Sequence, residues 1–279
     1  MAGSRRARGR ARLQRVQVAL ADAGFDALLL ATGTNLLFLS GYPTVELTLA
    51  RPFYLIVPAR GEPVLLVHAG REAEARRYGW IDDVRTYRRL SVAPLDELRR
   101  AFSDRGVLHG RIGLELGREQ RLGMPVAELE RVRDELATAR FEDAAELLWG
   151  LRMIKTDDDV AAIRRACRIT AAAYRETFAV TRGGEDDRTA ARRLASAMSD
   201  RNGRDPWVLV ASGRGNYTLA TGAPLDRRLG RGDMLWFDAG CSVDGFWSDF
   251  SRSGVVGSPS ADQREAQRQI VGLTARGVA

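Results

Sequence analysis

Gly232-Asp233-Met234-Leu235-Trp236-Phe237-Asp238-Ala239-Gly240, then Cys241-Ser242-Val243-Asp244-Gly245, then Phe246-Trp247-Ser248-Asp249-Phe250-Ser251-Arg252-Ser253-Gly254, form two apolar runs around a turn. An Asp-Gly pair between such runs is a strong β-hairpin signal. Each run carries one carboxylate near its middle, Asp238 and Asp249, eleven positions apart. A hairpin closing symmetrically about Val243/Asp244 sets the two directly opposite, with Cβ atoms about 4.5–5.5 Å apart. A hairpin turning on Asp244-Gly245 sets Asp238 opposite Ser251 and Asp249 diagonal to it. Both registers have the same parity, so both place the carboxylates on one face of the sheet.

Two carboxylates this close, among Trp236, Phe237, Phe246 and Phe250, repel each other and lose hydration. A divalent cation, or a pair of them, compensates through hard oxygen ligands. Arg252 or another arginine pairing with them does so without metal, as does solvation at a sheet edge. The spacing alone leaves these readings open.

The rest of the chain sets the frame. It has 279 residues, 45% hydrophobic and 28% charged, a length for about two domains and a composition that excludes disorder and collagen. No apolar run approaches the roughly 20 residues of a membrane-spanning helix. Two cysteines, Cys167 and Cys241, make no disulfide framework, so a reducing cytoplasm is the expected compartment. The net charge of +7 invites a nucleic-acid reading, but residues 1–20 hold six arginines and no acid. Setting those six aside leaves 37 basic residues against 36 acidic ones, and Lys155 is the sole lysine. The basic character is a tail, read as a disordered, solvated terminus over residues 1–10.

Arg12–Ala23 reads as a helix ended by Gly24, and Asp26–Ala31 as a strand. Thr32-Gly33-Thr34-Asn35 has turn chemistry. Phe53–Val57 and Pro63–Val67 flank a hairpin loop. Glu72–Tyr78, Leu95–Phe102 and Val126–Arg133 read as helices, Val84–Tyr87 and Arg111–Leu116 as strands. This alternation makes residues 11–143 one α/β domain. From Ala144 the pattern turns helical, interrupted by Thr156-Asp157-Asp158-Asp159, whose Thr156 and Asp159 have capping-box spacing. A second domain therefore spans residues 144–279: helices, with a break at Gly183-Gly184, then the strands of Trp207–Val256 and a further helix from Pro259. Ser212-Gly213-Arg214-Gly215 reads as a tight loop and not a phosphate loop, since it lacks GxGxxG and a P-loop lysine. Neither cysteine has a histidine nearby to activate it as a nucleophile.

The hairpin, with Arg231-Gly232-Asp233 ahead of it, resembles the metal-binding segment of the pita-bread metallopeptidases: creatinase, prolidase, aminopeptidase P and methionine aminopeptidase. Leu151-Arg152-Met153-Ile154-Lys155, followed by Val160, Ile163, Arg164 and Ala166, is similar to the opening of the creatinase–prolidase catalytic domain. Asn35-Leu36-Leu37-Phe38-Leu39-Ser40-Gly41-Tyr42 resembles a run of that branch's N-terminal domain. The resemblance covers about residues 11–275, with its motifs in the family's order. It implies an α/β (α+β) fold, a creatinase-like N-terminal domain followed by part of a pita-bread domain. It implies two divalent ions (manganese, cobalt, zinc or iron), with the position of Asp238 binding one and that of Asp249 bridging both. It implies a metal-activated water attacking a carbonyl, commonly of an Xaa-Pro bond, a dipeptide-like or other small substrate, and a homodimer.

Two departures qualify this. The family's site adds a histidine and two glutamates downstream, whereas this chain's histidines, His68 and His109, fall in the N-terminal domain and read as surface or structural residues. The peptidases also carry a substrate-side histidine in a Pro-His-x-x-Pro-like run. Aligning the prolines of Leu219-Ala220-Thr221-Gly222-Ala223-Pro224 puts Thr221 there, and threonine shares no proton at neutral pH. The expectation is a truncated chain, inactive alone. The alternatives are a non-catalytic binding or dimerisation module, or a non-peptide hydrolase or lyase of the same fold.

Overall fold

The computed structural model describes residues 2–43, 50–213 and 227–278. They fall into two compact units, Met1–Lys155 and Thr156–Ala279. The first is built on strands that bury both faces. β1 (Ala27–Leu30), β2 (Tyr54–Pro58) and β3 (Val64–His68) are almost wholly buried, which is why they read as unbroken apolar runs. With β4 (Asp83–Tyr87), β5 (Arg111–Leu114) and β6 (Arg140–Asp143) they form a six-stranded mixed sheet, ordered β4-β3-β2-β1-β5-β6.

Strand periodicity splits the apolar residues between two layers. Leu28, Leu30, Leu55, Val57, Leu65 and Val67 pack against α1 (Ala2–Ala23), α2 (Gly33–Ser40), α3 (Glu72–Tyr78) and α6 (Ala145–Met153). Leu29, Tyr54, Ile56, Val64, Leu66 and Ile112 pack against α4 (Leu95–Asp104) and α5 (Val126–Glu135).

The structure corrects three sequence expectations and adds one strand that the sequence pattern does not announce. The basic terminus is not a disordered tail: its described residues continue helix α1. Its arginines find oxygens within the same unit. Arg5 donates to the carbonyls of Arg77 and Tyr78, at 3.1 and 2.9 Å, at the carbonyl end of α3. Arg6 pairs with Asp82 and Arg10 with Glu62. Gly9 has no Cβ to collide with the Trp80 ring, which would lie 2.4 Å from one. Second, the turn residues Gly33–Asn35 open helix α2, closed by Gly41 at φ 70°. Third, β6 escapes notice because its sequence, Arg-Phe-Glu-Asp, is a polar edge strand. Fourth, the break between units lies after Lys155, not at 144. Leu148 and Leu151 of α6 belong to the first unit's core.

A buried polar network ties α6 to the sheet. Glu115, only 2% exposed just past β5, accepts from the amides of Ala31 (2.8 Å) and Thr32 (3.0 Å) and from the Asn35 side chain. Asn35 in turn accepts from Arg152 of α6 at 2.9 Å. Burial pushes the Glu115 carboxyl above its ordinary range, opposed by these donors. Glu115→Ala leaves three buried donors, the Ala31 and Thr32 amides and the Asn35 side chain, without this acceptor and removes the negative charge that favours the half-buried Arg152 guanidinium. It should destabilise the first unit by about 3–5 kcal/mol, read by urea denaturation with the far-ultraviolet circular dichroism signal.

In the second unit, α7 (Asp157–Val180) and α8 (Asp187–Ser199) cover one face of a four-stranded sheet. The sheet is ordered β10-β8-β7, with β7 (Arg204–Ser212), β8 (Met234–Val243) and β10 (Phe250–Val255), and a two-residue β9 (Phe246–Trp247) on β8. Thr156 and Asp159 form the capping box at the start of α7. α9 (Ala261–Val278) ends the unit with Ile270, Val271 and Leu273 exposed.

Candidate metal centre

Successive side chains of β8 take opposite faces of the sheet. Leu235, Phe237, Ala239 and Cys241 are at most 1% exposed and face the helices, against Ala173, Tyr174, Leu194 and Met198. The even positions, Trp236, Asp238 and Gly240, take the other face with Trp207 and Leu209 of β7, their register partners being Gly240↔Trp207 and Asp238↔Leu209. The core face therefore dictates where Asp238 points.

Asp244 and Gly245 form the hairpin turn with φ 53° and 82°. Two successive positive φ values define the tight hairpin turn that Asp-Gly favours. The register is the second of the two read from the sequence: Asp238 pairs with Ser251 and Ala239 with Phe250. Asp249 lies opposite Gly240, so the carboxylates share a face as diagonal neighbours, about 7–8 Å apart at the backbone. The directly opposed register is excluded.

The ladder parts at this point. Neither Ser248 nor Asp249 belongs to a strand, and the Ser248 carbonyl moves in over Gly240. A Cβ at Gly240 would lie 1.8 Å from that oxygen and 2.8 Å from Trp207 Nε1. Glycine is the residue that allows the approach. The Ser248 amide still donates to the Cys241 carbonyl at 3.0 Å, while its hydroxyl takes the reciprocal place, accepting from the Cys241 amide at 3.1 Å, and Thr170 of α7 meets that hydroxyl at 2.8 Å.

Asp238 is half-buried and Asp249 exposed. Burial, and then the charge of Asp249, hold the Asp238 carboxyl above the usual carboxylate range. Arg252 does not neutralise the pair: its guanidinium sits 4.6 Å from the Phe250 ring centroid and donates to the Ser251 carbonyl at 2.7 Å. Among the described residues neither aspartate is in an ion pair, and no group of three or more His, Cys, Asp or Glu side chains is placed to hold a metal. The donor chemistry fits a hard divalent cation, supplying two carboxylate ligands and leaving the remaining positions to other donors.

The other candidates resolve as structural residues. His68 Nδ1 accepts from the Gly70 amide at 3.1 Å and its ring meets Tyr87 edge-on; His109 is exposed. Ser212 closes β7 and donates to Asp187 at 3.1 Å. Cys167 is half-buried and Cys241 buried. Thr221, and the loop residues from Arg214 onward, lie outside the described residues. The groups that sequence reasoning missed are Thr170, Tyr174, Gly240 and Ser248. The available signal was two hydroxyl residues at i and i+4 on the helix face otherwise given by Ile169 and Ala173.

The profile of the Creatinase/Prolidase N-terminal domain matches residues 12–154, and that of Metallopeptidase family M24 matches residues 161–277. The chain belongs to the creatinase/prolidase family. Among relatives, the Xaa-Pro dipeptidase of Pyrococcus furiosus is 28% identical over 152 residues, which are 54% of this chain and 43% of that protein. The match thus spans less than half of that relative's length. Among solved structures, the X-Pro aminopeptidase of Thermotoga maritima MSB8 superposes with a TM-score of 0.75 at 20% identity, over 91% of this chain and 67% of that one. The prolidase of Pyrococcus horikoshii OT3 does so with a TM-score of 0.72 at 24% identity, over 91% and 67%. The fold is the α/β N-terminal domain of this family followed by its pita-bread sheet and helices.

Two outcomes follow from the geometry. Gly240→Ala drives a methyl into the Ser248 carbonyl and should destabilise the second unit by about 1–3 kcal/mol or more, seen as an earlier urea midpoint. For Asp238, the folded-state pKa is raised, so its carboxyl is without penalty below the ordinary 3.8 and lowers stability as pH rises past that value. Asp238→Asn should therefore raise the melting temperature of the chelator-treated chain at pH 7 and leave it unchanged at pH 3.

Proposed function

We propose that Asp238 and Asp249 are two ligands of a divalent-metal centre of the Xaa-Pro peptidase type. The observation that carries this reading is the pair itself: two carboxylates on one sheet face, repelling each other, with no cationic side chain of the described residues set against them. The P. furiosus relative is named an Xaa-Pro dipeptidase and the T. maritima neighbour an X-Pro aminopeptidase, which favours a dipeptide-like substrate. A divalent ion bound there lowers the pKa of its water and polarises a carbonyl. Asp238 and Asp249 supply negative charge and oxygen donors, the first half-buried and the second exposed. Manganese, like magnesium and calcium, suits an all-oxygen pair. A homodimer and a cytoplasmic setting belong to the same proposal; no helix among the described residues is long and apolar enough to cross a membrane.

The second part of the proposal concerns the 279 residues by themselves. Their two histidines both lie in the first unit, so a histidine ligand beside Asp238 and Asp249 is not supplied by the second. Two carboxylates make a weak, hydrated site, with affinity in roughly the millimolar range. Isothermal titration of the full chain with manganese chloride should give weak binding that Asp238→Asn or Asp249→Asn abolishes. Hydrolysis of an Xaa-Pro dipeptide should be undetectable. Robust, chelator-sensitive hydrolysis by this chain overturns the second part; a chain whose manganese binding survives both substitutions overturns the first.

A further inference from the structure

α7 presents two hydroxyls, Thr170 and Tyr174, one turn apart and so on the same helix face. Both are buried, and both reach across the core to the hairpin. Their contacts bracket the carboxylates. Thr170 Oγ1 meets Ser248 Oγ at 2.8 Å, the residue before Asp249. The Tyr174 hydroxyl donates to the carbonyl of Phe250, the residue after Asp249, at 2.9 Å, and shares its proton with the carbonyl of Phe237, the residue before Asp238, at 3.2 Å.

The strands pair on either side of this point, Ala239 with Phe250 and Ser242 with Trp247, and the phenol adds a side-chain link to the backbone of both. Here it joins β8 to β10 beside the point where Ser248 and Asp249 leave the ladder. Ser248 makes the neighbouring link through its own side chain, accepting from Cys241 and meeting Thr170. Phe178, Phe237 and Phe250 pack around the Tyr174 ring with centroids 5.7–6.3 Å from it, and fix where its hydroxyl can go. The spacing of the two carboxylates is thus set by side chains of a helix behind the sheet and not by the strand ladder alone.

We propose that Thr170 and Tyr174 are positioning residues that set the separation of Asp238 and Asp249 for a divalent cation. The inference rests on the metal-centre reading above. It assigns the two hydroxyls a task beyond packing: they hold two like charges at a spacing that a metal rewards and the metal-free hairpin resists. Ser248 relays the Thr170 contact to Asp249.

The test uses the full chain and the variants Tyr174→Phe, Thr170→Val and Thr170→Ser, with Asp249→Asn as the reference for lost ligation. Two readouts are taken: manganese affinity by isothermal titration, and deuterium uptake of the peptide spanning residues 236–251 in metal-free protein. Tyr174→Phe and Thr170→Val should weaken manganese binding at least tenfold and speed uptake in the hairpin peptide, with uptake in peptides of α8 unchanged. Thr170→Ser, which keeps the hydroxyl, should retain wild-type affinity. Wild-type affinity in both Tyr174→Phe and Thr170→Val, with binding still lost in Asp249→Asn, overturns the positioning role and leaves the metal reading standing. Equal acceleration of uptake in α8 and in the hairpin reduces the two hydroxyls to packing groups and also overturns it. If the wild-type chain shows no manganese binding that Asp249→Asn removes, the metal reading fails and the positioning role fails with it.

Discussion

Two like charges held on one face of a twisted hairpin are the constraint on which the second unit turns. Asp238 and Asp249 would relax apart if the strands were free to do so, and burial makes the repulsion felt. What prevents relaxation is the packed side of the sheet. Phe237, Ala239 and Cys241 lock β8 onto α7 and α8, so Asp238 cannot rotate to solvent without exposing that row. Gly240 then lets the Ser248 backbone close over the strand, which carries Asp249 alongside. The pair is a product of core packing on one face and a single missing Cβ on the other.

The first unit meets a similar electrostatic problem with an internal solution. Glu115 is buried and Arg152 half-buried, and Asn35 stands between them, donating to one and accepting from the other. Backbone amides of Ala31 and Thr32 complete the carboxylate's shell. A buried carboxylate supplied with this many donors calls for no ion from outside. The contrast is informative. The protein satisfies Glu115 from its own atoms, whereas among the described residues no cationic side chain is set against Asp238 and Asp249.

Much of this was legible in the sequence, for identifiable reasons. Asp-Gly between apolar runs gave the hairpin because its turn needs two positive φ values, and the even spacing from the turn put both aspartates on one face whichever register formed. Thr156 and Asp159 announced the start of α7 because a capping box is a local interaction. Where the reading stopped, the cause was non-local. The arginines of residues 5–10 looked like a solvated terminus because nothing near them in sequence is acidic; their partners, Glu62 and Asp82, arrive through the fold. The domain boundary was read at 144 because helical spacing begins there, but α6 packs backward onto α1 and β1. Thr170 and Tyr174 carry no signal of these contacts in the sequence because the meeting of a helical hydroxyl with hairpin oxygens some 60 to 80 residues away is a tertiary fact.

The central claim, that the carboxylate pair is where this chain receives a divalent cation, is tested most directly by paramagnetic broadening. Isotope-labelled full chain would be followed by nuclear magnetic resonance as manganese is added well below one equivalent. The account predicts that amide signals of residues 236–251, Gly240 and Ser248 foremost, broaden first and recover on adding chelator. Broadening centred instead on the exposed acidic start of α7 at Asp157 and Asp158, or spread evenly over the surface, would contradict it.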